Sequence, residues 1–313
     1  MVTAQAATRS TVAVALTGRR ADVAGRLFSA LLLLSLLISL VVLLALLTTV
    51  VVDAWPVLSE RGADFLTGNL SGFESRAGVR QGVIGSMILI AFVAAIAVPL
   101  GIAAAVYLQE YARDTRTSRA LITNIRNLAG VPSIVYGILG VVVFAQVLRG
   151  VTGPESSGLS YVSGGLTLAV LVMPFVIIIT MEALRAVPRG IREAAYGVGA
   201  TRWEVVRSHV LPYAAPGVFT GTILALARAF GETAPILLVG AVTGYLSPGG
   251  SQGLLETLRG PYTALPTIIF SWSRRPGEEY AHLTAAAIVV LLAVILIVNL
   301  AAILLRNRYE RRW

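Results

Sequence analysis

Six long apolar stretches separated by polar connections set the plan of this chain. They run from Leu27 to Val52, Gly82 to Leu108, Ala129 to Leu148, Gly165 to Leu184, Pro216 to Val242 and Leu283 to Leu305. At 1.5 Å per residue each is long enough to cross about 30 Å of hydrocarbon. The pattern predicts an all-α integral membrane protein with six transmembrane helices. The first stretch is about twice the length of a signal-peptide core, and no small-residue cleavage site follows it, so it is expected to remain as a span.

The connections differ in character. Residues 1–26 form a polar, basic tail with little helical periodicity. The connection from Asp53 to Gln81 mixes glycines with charges of both signs, and Trp55 in it suits a headgroup anchor. Arg149 to Gly164 is a Gly/Ser/Pro loop. The last connection, from about Thr243 to His282, opens with YLSPGGSQG and continues TLRGPYTALPTIIFSW. Two readings fit that second run: a segment dipping into the outer face with Trp272 at the interface, or a loop that covers it. No internal repeat is evident, so a pore built on two-fold symmetry requires a second subunit.

Composition agrees with the membrane reading. Hydrophobic side chains make up 56% of 313 residues and charged ones 13%, about half the charge of a soluble domain. All 25 basic residues are arginine, and they gather in the tail, between the second and third stretches, between the fourth and fifth, and after the sixth. By the positive-inside rule both termini are expected in the cytoplasm. The net charge of +9 then reports topology and contact with anionic lipid, with no nucleic-acid partner implied. Without lysine there is no Walker A phosphate loop, and without cysteine no thiolate chemistry. His209 and His282 fall on opposite sides of the membrane by this topology and cannot share a metal. Any ATP must be hydrolysed by another chain.

The connection between the fourth and fifth stretches reads VPRGIREAAYGVGATRWEVVRSHVLPYAAPG. A short helix from about Pro188 is expected to place small alanines on one face, open to close approach by another protein. Gly199 is a candidate left-handed cap. A second helix from about Thr201 to Val210 leads to a proline break at Pro212. The segment has the form of a lever on the surface.

Glu193, Ala194, Ala195, Gly199, Leu211 and Pro212 reproduce the spacing of the EAA loop of ABC importer permeases, and the chain resembles that family. His209 stands where the loop usually has an aliphatic residue. The resemblance implies a MetI-like type I permease fold over residues 77–308, with residues 188–212 as the coupling loop for a cytosolic ATPase. Residues 27–76 are then an additional first helix and outer loop, and 309–313 a cytoplasmic end.

The fifth stretch contains ALARAFGETAP at residues 225–235. An arginine at the centre of a spanning helix costs roughly 2.5 to 3.5 kcal/mol on insertion scales. Arg228 and Glu232, four apart, share one face of a helix and partly neutralise each other. Gly231 permits close backbone approach, and Pro235 bends the helix just beyond the pair. One reading is an ion pair that fixes helix packing. The other is that Arg228 lines a conduit for an oxyanion, with Glu232 limiting how tightly the anion is held.

The runs ALRAVPRGIREAAYGVGATRW, GTILALARAFGETAP, GSMILIAFVAAIAVPLGIAAAVYLQEYA, GVPSIVYG and LPTIIF resemble the PstA-type permeases of phosphate-specific ABC importers. That resemblance implies a phosphate permease in the bacterial cytoplasmic membrane. It would pair with a PstC-type permease, a PstB-type ATPase dimer carrying ATP and Mg, and a PstS-type binding protein, and would hold no cofactor itself. It implicates Arg228 in phosphate passage, with Glu232 as its partner; the residues themselves place Thr233 with them in the substrate pathway and suggest Gly231 and Pro235 as a hinge. In the fourth span Ile178-Ile179-Thr180-Met181-Glu182 departs from the family's Arg-Thr-Thr-Glu run, leaving no second basic contact there. Rival readings are a permease for another oxyanion or solute, and an ion-coupled secondary transporter.

Overall fold

A computed structural model describes residues 23–242 and 253–309. Among them every regular element is helical. The chain divides into two units between Val52 and Asp53, so the apolar part of the first helix, up to Val52, is described by itself.

Helix α1, Val23–Thr67, runs for 45 residues with Pro56 inside it. Its segment before Asp53 exposes nearly all its leucines, isoleucines and valines, a surface that only lipid or another apolar partner satisfies. Beyond Asp53, α1 belongs to the second unit. Phe65 is fully buried there, and Arg61 donates to the carbonyls of Glu74 and Ala77, both at 2.9 Å.

The second unit is built on α2, Arg80–Val106, and α5, Tyr161–Arg185. They pack closely because small residues face bulky ones: a Cβ added at Gly101 would lie 2.7 Å from Val176 Cγ1, and one at Gly165 would meet the ring of Phe92. α2 ends in a wider π turn, Tyr107–Tyr111. α3, Arg116–Ala129, is amphipathic, with Thr115 capping its first turn, and Ile122 and Ile125 pack beside the buried Ala105, Ile177 and Met181.

The third apolar stretch differs from its expected form. α3 and α4, Ser133–Gly140, meet at a 98° bend where Gly130 and Pro132 interrupt the helix. Tyr136 closes the corner, its hydroxyl donating to the Leu128 carbonyl at 2.9 Å. With its π continuation to Val147, α4 reaches only about 22 Å. Among the described residues five helices qualify as spans, or six with the bent pair taken as one.

After α5 come α6, Arg189–Gly197, and α7, Arg202–Val205. α7 runs through a π turn, Val206–Val210, into α8, Leu211–Gly231. Pro212 therefore does not break the helix as expected. The π turn comes immediately before it, where a proline lacks the N–H that would bond back to Ser208. The fifth span is one helix from Arg202 to Gly231, displaced toward the N-terminus from the predicted 216–242. A short helix α9, Ala234–Leu238, follows the break.

α10, Leu254–Arg259, and α11, Leu265–Ser273, precede α12, Glu278–Tyr309. α11 is built into the second unit. Leu265 and Ile268 are fully buried, and the Leu265 N–H donates to Ser86 Oγ at 2.9 Å. Trp272 is likewise buried at 1% exposure, its ring centroid 6.3 Å from that of Phe65. The ring therefore packs inside the protein and does not face lipid headgroups. Trp55, at 66% exposure, is free to serve as an anchor. Residues 1–22, 243–252, which hold the YLSPGGSQG run up to Gln252, and 310–313, in the expected cytoplasmic end, lie outside the described residues.

Candidate functional site: the Arg228 corner and the loop helices

Arg228 occupies the last turn of α8, because the helix stops at Gly231. Glu232 is extended, with φ −72° and ψ 119°, and its N–H donates back to the Ala229 carbonyl at 3.2 Å. The expected pair forms, with Arg228 Nε 3.6 Å from Glu232 Oε1, but a helix end creates it rather than a shared helical face. Two further effects offset the cost of the charge. The unpaired carbonyls of the helix C-terminus favour a cation. The guanidinium carbon also lies 4.4 Å from the ring centroid of Phe175 on α5, within cation–π range.

The Arg228 side chain is 56% exposed and that of Glu232 17%. Among the described residues no hydrogen bond engages Nη1 or Nη2. The arginine therefore presents a free, planar pair of donors, the geometry suited to an oxyanion. Thr233 is half-buried beside it, its carbonyl accepting from the Leu237 N–H at 3.0 Å. Gly231 does not serve close packing within this chain, since a Cβ there would meet nothing within 4 Å. Pro235 starts α9 instead of bending a continuous helix. It packs against α4, where a Cβ at Gly137 would sit 2.8 Å from Pro235 Cα.

On the loop, α6 begins after Pro188 as predicted. Glu193 and Ala194 face outward while Ala195 is buried at 4% exposure, so the alanines do not share one face. Ala195 packs with Leu184, Val187, Val205 and Val210, beside the half-buried Leu211. Gly199 adopts φ +82°, the left-handed conformation that glycine adopts without strain. Thr201 and Glu204 form a reciprocal capping box, the Thr201 N–H and hydroxyl donating to the Glu204 carboxyl at 2.7 and 2.8 Å. Pro212 is exposed. His209 is exposed as well, so its polar ring displaces no packing contact.

Three interactions have no signal in residue spacing. Arg192 Nη2 donates to Glu110 Oε1 at 2.7 Å, Arg202 donates to the Glu110 carbonyl, and Arg202 also lies over the Tyr111 ring. Glu182, the unexpected acid of the fourth span, has a structural use: Arg185 Nη1 donates to it at 2.9 Å and Arg126 Nη2 approaches to 3.7 Å. The Arg228 corner and the α6 helix are separate places, joined through α5.

A bent-span helical bundle with an arginine at a helix break and a capped helical loop is the architecture of a multi-pass membrane protein. Residues 97–313 match the family described as binding-protein-dependent transport system inner membrane component, and the chain belongs to that family, as a membrane subunit of an ABC transporter. Similar curated proteins include the phosphate transport system permease protein PstA 1 of Mycobacterium tuberculosis. It is 32% identical over 270 residues, covering 85% of this chain and 82% of that protein. The permease protein PstC of Mesorhizobium japonicum is 31% identical over 274 residues, covering 80% and 81%. Among solved structures, a bacterial alginate ABC transporter in complex with alginate pentasaccharide-bound periplasmic protein aligns with TM-score 0.64 at 17% identity, covering 91% of this chain and 96% of that one. An inward-facing MetNI methionine ABC transporter gives 0.54 at 20% identity, covering 75% and 95%. These structures share the fold.

Proposed function

We propose that this chain is the PstA-type permease of an ATP-driven importer that carries inorganic phosphate across the cytoplasmic membrane. The observation that carries the reading is the Arg228 guanidinium, held by Glu232 and Phe175 at a helix break with its Nη donors open. The phosphate permeases among its relatives support the choice of anion, and the GETAP run supports PstA over PstC.

In this reading the chain pairs with a PstC-type permease above a PstB-type ATPase dimer that binds ATP and Mg. A PstS-type protein delivers phosphate from outside. Both termini are cytoplasmic. Residues Glu193 to Pro212 meet the ATPase, with Glu193 and Ala194 outward and Ala195 seated on the permease. ATP binding moves this loop, and the helices around Arg228 open to one side at a time, with Gly231 to Pro235 as the place where the fifth span changes direction. One arginine beside a glutamate binds an anion weakly, and conduction needs weak binding. High affinity then belongs to the binding protein.

The test is ATP-dependent uptake of labelled phosphate into liposomes holding the co-expressed complex and binding protein, with sulfate as competitor. Wild type should take up phosphate regardless of sulfate, and Arg228→Gln should assemble, hydrolyse ATP and transport nothing. Normal uptake in the variant makes Arg228 a packing residue. Uptake of a different solute removes phosphate, and uptake by this chain alone without ATP turns it into a secondary transporter.

A further inference from the structure

The deepest polar cluster near the loop helices is centred on Arg192, whose side chain is 20% exposed against 10% for its partner Glu110. Three elements meet on this one guanidinium. Nη2 donates to Glu110 Oε1 at 2.7 Å and Nε reaches Oε2 at 3.5 Å, tying it to the π turn that ends α2. Nη2 also donates to the Leu184 carbonyl at 2.9 Å and Nη1 to the Val187 carbonyl at 2.8 Å, closing the end of α5. The arginine itself belongs to α6. Arg202, at the start of α7, adds a second tie by donating to the Glu110 carbonyl and covering the Tyr111 ring.

The geometry points to Arg192 and Glu110 as a rigid hub that makes α6 move as one body with the inner ends of the second and fourth spans. A loop helix held only by its own flanking chain would pivot at Pro188 and Gly199. Here a half-buried fork replaces the pivot. Truncating either partner leaves a largely desolvated charge or open helix carbonyls. From Leu184, beneath the hub, α5 runs nine residues to Phe175, the ring that supports Arg228. Arg192 and Glu110 are positioning residues: they touch neither anion nor nucleotide, and act by fixing how displacement at α6 reaches the helix that holds Phe175.

This inference rests on the reading of Glu193 to Pro212 as the ATPase-coupling loop, and its test is arranged so that the two fail separately. This chain contains no cysteine, so with cysteine-free partner subunits spin labels enter only at Val198→Cys, past the end of α6, and Tyr107→Cys, at the end of α2, both exposed sites. The co-expressed complex is measured by dipolar EPR, first without nucleotide and then with ATP. A narrow distance distribution that ATP leaves in place is expected for the native hub. Glu110→Gln, which keeps shape and removes charge, should broaden it, and Arg192→Lys, which keeps charge and removes the fork, should do the same. Both variants should still co-purify with the ATPase and hydrolyse ATP, with solute moved per ATP reduced about tenfold. A native-like distribution in both variants, or a wild-type distance that shifts with ATP, overturns the hub. Failure of the wild type to bind any ATPase sinks the coupling reading instead, while the nucleotide-free comparison still decides whether the hub is rigid.

Discussion

Replacing Phe175 by leucine removes the aromatic face from Arg228 while keeping an apolar side chain on α5. The guanidinium carbon is 4.4 Å from the ring centroid, inside the roughly 6 Å at which such a contact counts. Its worth runs from about 0.5 to 1 kcal/mol at exposed sites to about 2 kcal/mol when dry. With the Arg228 side chain 56% exposed, the lower range applies, which corresponds to about a two- to fivefold effect on transport rate or half-saturation. Phe175 also packs against the central apolar cluster, so Phe175→Tyr separates the two roles. A packing role favours leucine over the hydroxyl-bearing ring, whereas a guanidinium support favours tyrosine. The assay is initial-rate uptake in liposomes at several phosphate concentrations, with assembly checked by co-purification. Expected is near-native transport for tyrosine and a two- to fivefold deficit for leucine. The reasoning is refuted if leucine transports like wild type or if tyrosine is impaired as much as leucine.

Gly85→Ala would drive a methyl group into the Thr263 carbonyl and to 3.0 Å from the Tyr161 hydroxyl; a loss of about 1 to 3 kcal/mol is expected. Thermal inactivation of the purified complex should show it, with Gly62→Ala, where nothing lies within 4 Å, no less stable than wild type. Thr201→Ala removes one half of the capping box and should weaken the start of α7 by about 1 kcal/mol. Hydrogen exchange in residues 202–206 would then be about five times faster, and an unchanged rate would count against the cap.

The loop helices were legible because their signals are local. Pro188 before a helix and glycine at a left-handed cap each act within one turn of chain. The Arg228 corner was legible in part. Its two charges stand four apart in sequence, yet a continuous helix through Glu232 was the wrong vehicle, because Gly231 ends α8 and Pro235 opens a new one. Trp272 misled for a related reason: tryptophan is common at interfaces, but its burial depends on Phe65, more than two hundred residues earlier. The Glu110 to Arg192 tie joins residues 82 apart, a separation with no periodicity to read.

By itself the sequence determined the class of protein and the places to look. Apolar stretches of spanning length demand a bilayer, an arginine-only cation set excludes several chemistries, and the capping residues shape the loop. The tertiary structure decided where helices stop, which side chains are buried and which charges meet. Where the helices break at Gly130 and Gly231 is visible only in the folded chain, and the Arg192–Glu110 pair forms only once distant segments have drawn both partners partly out of water.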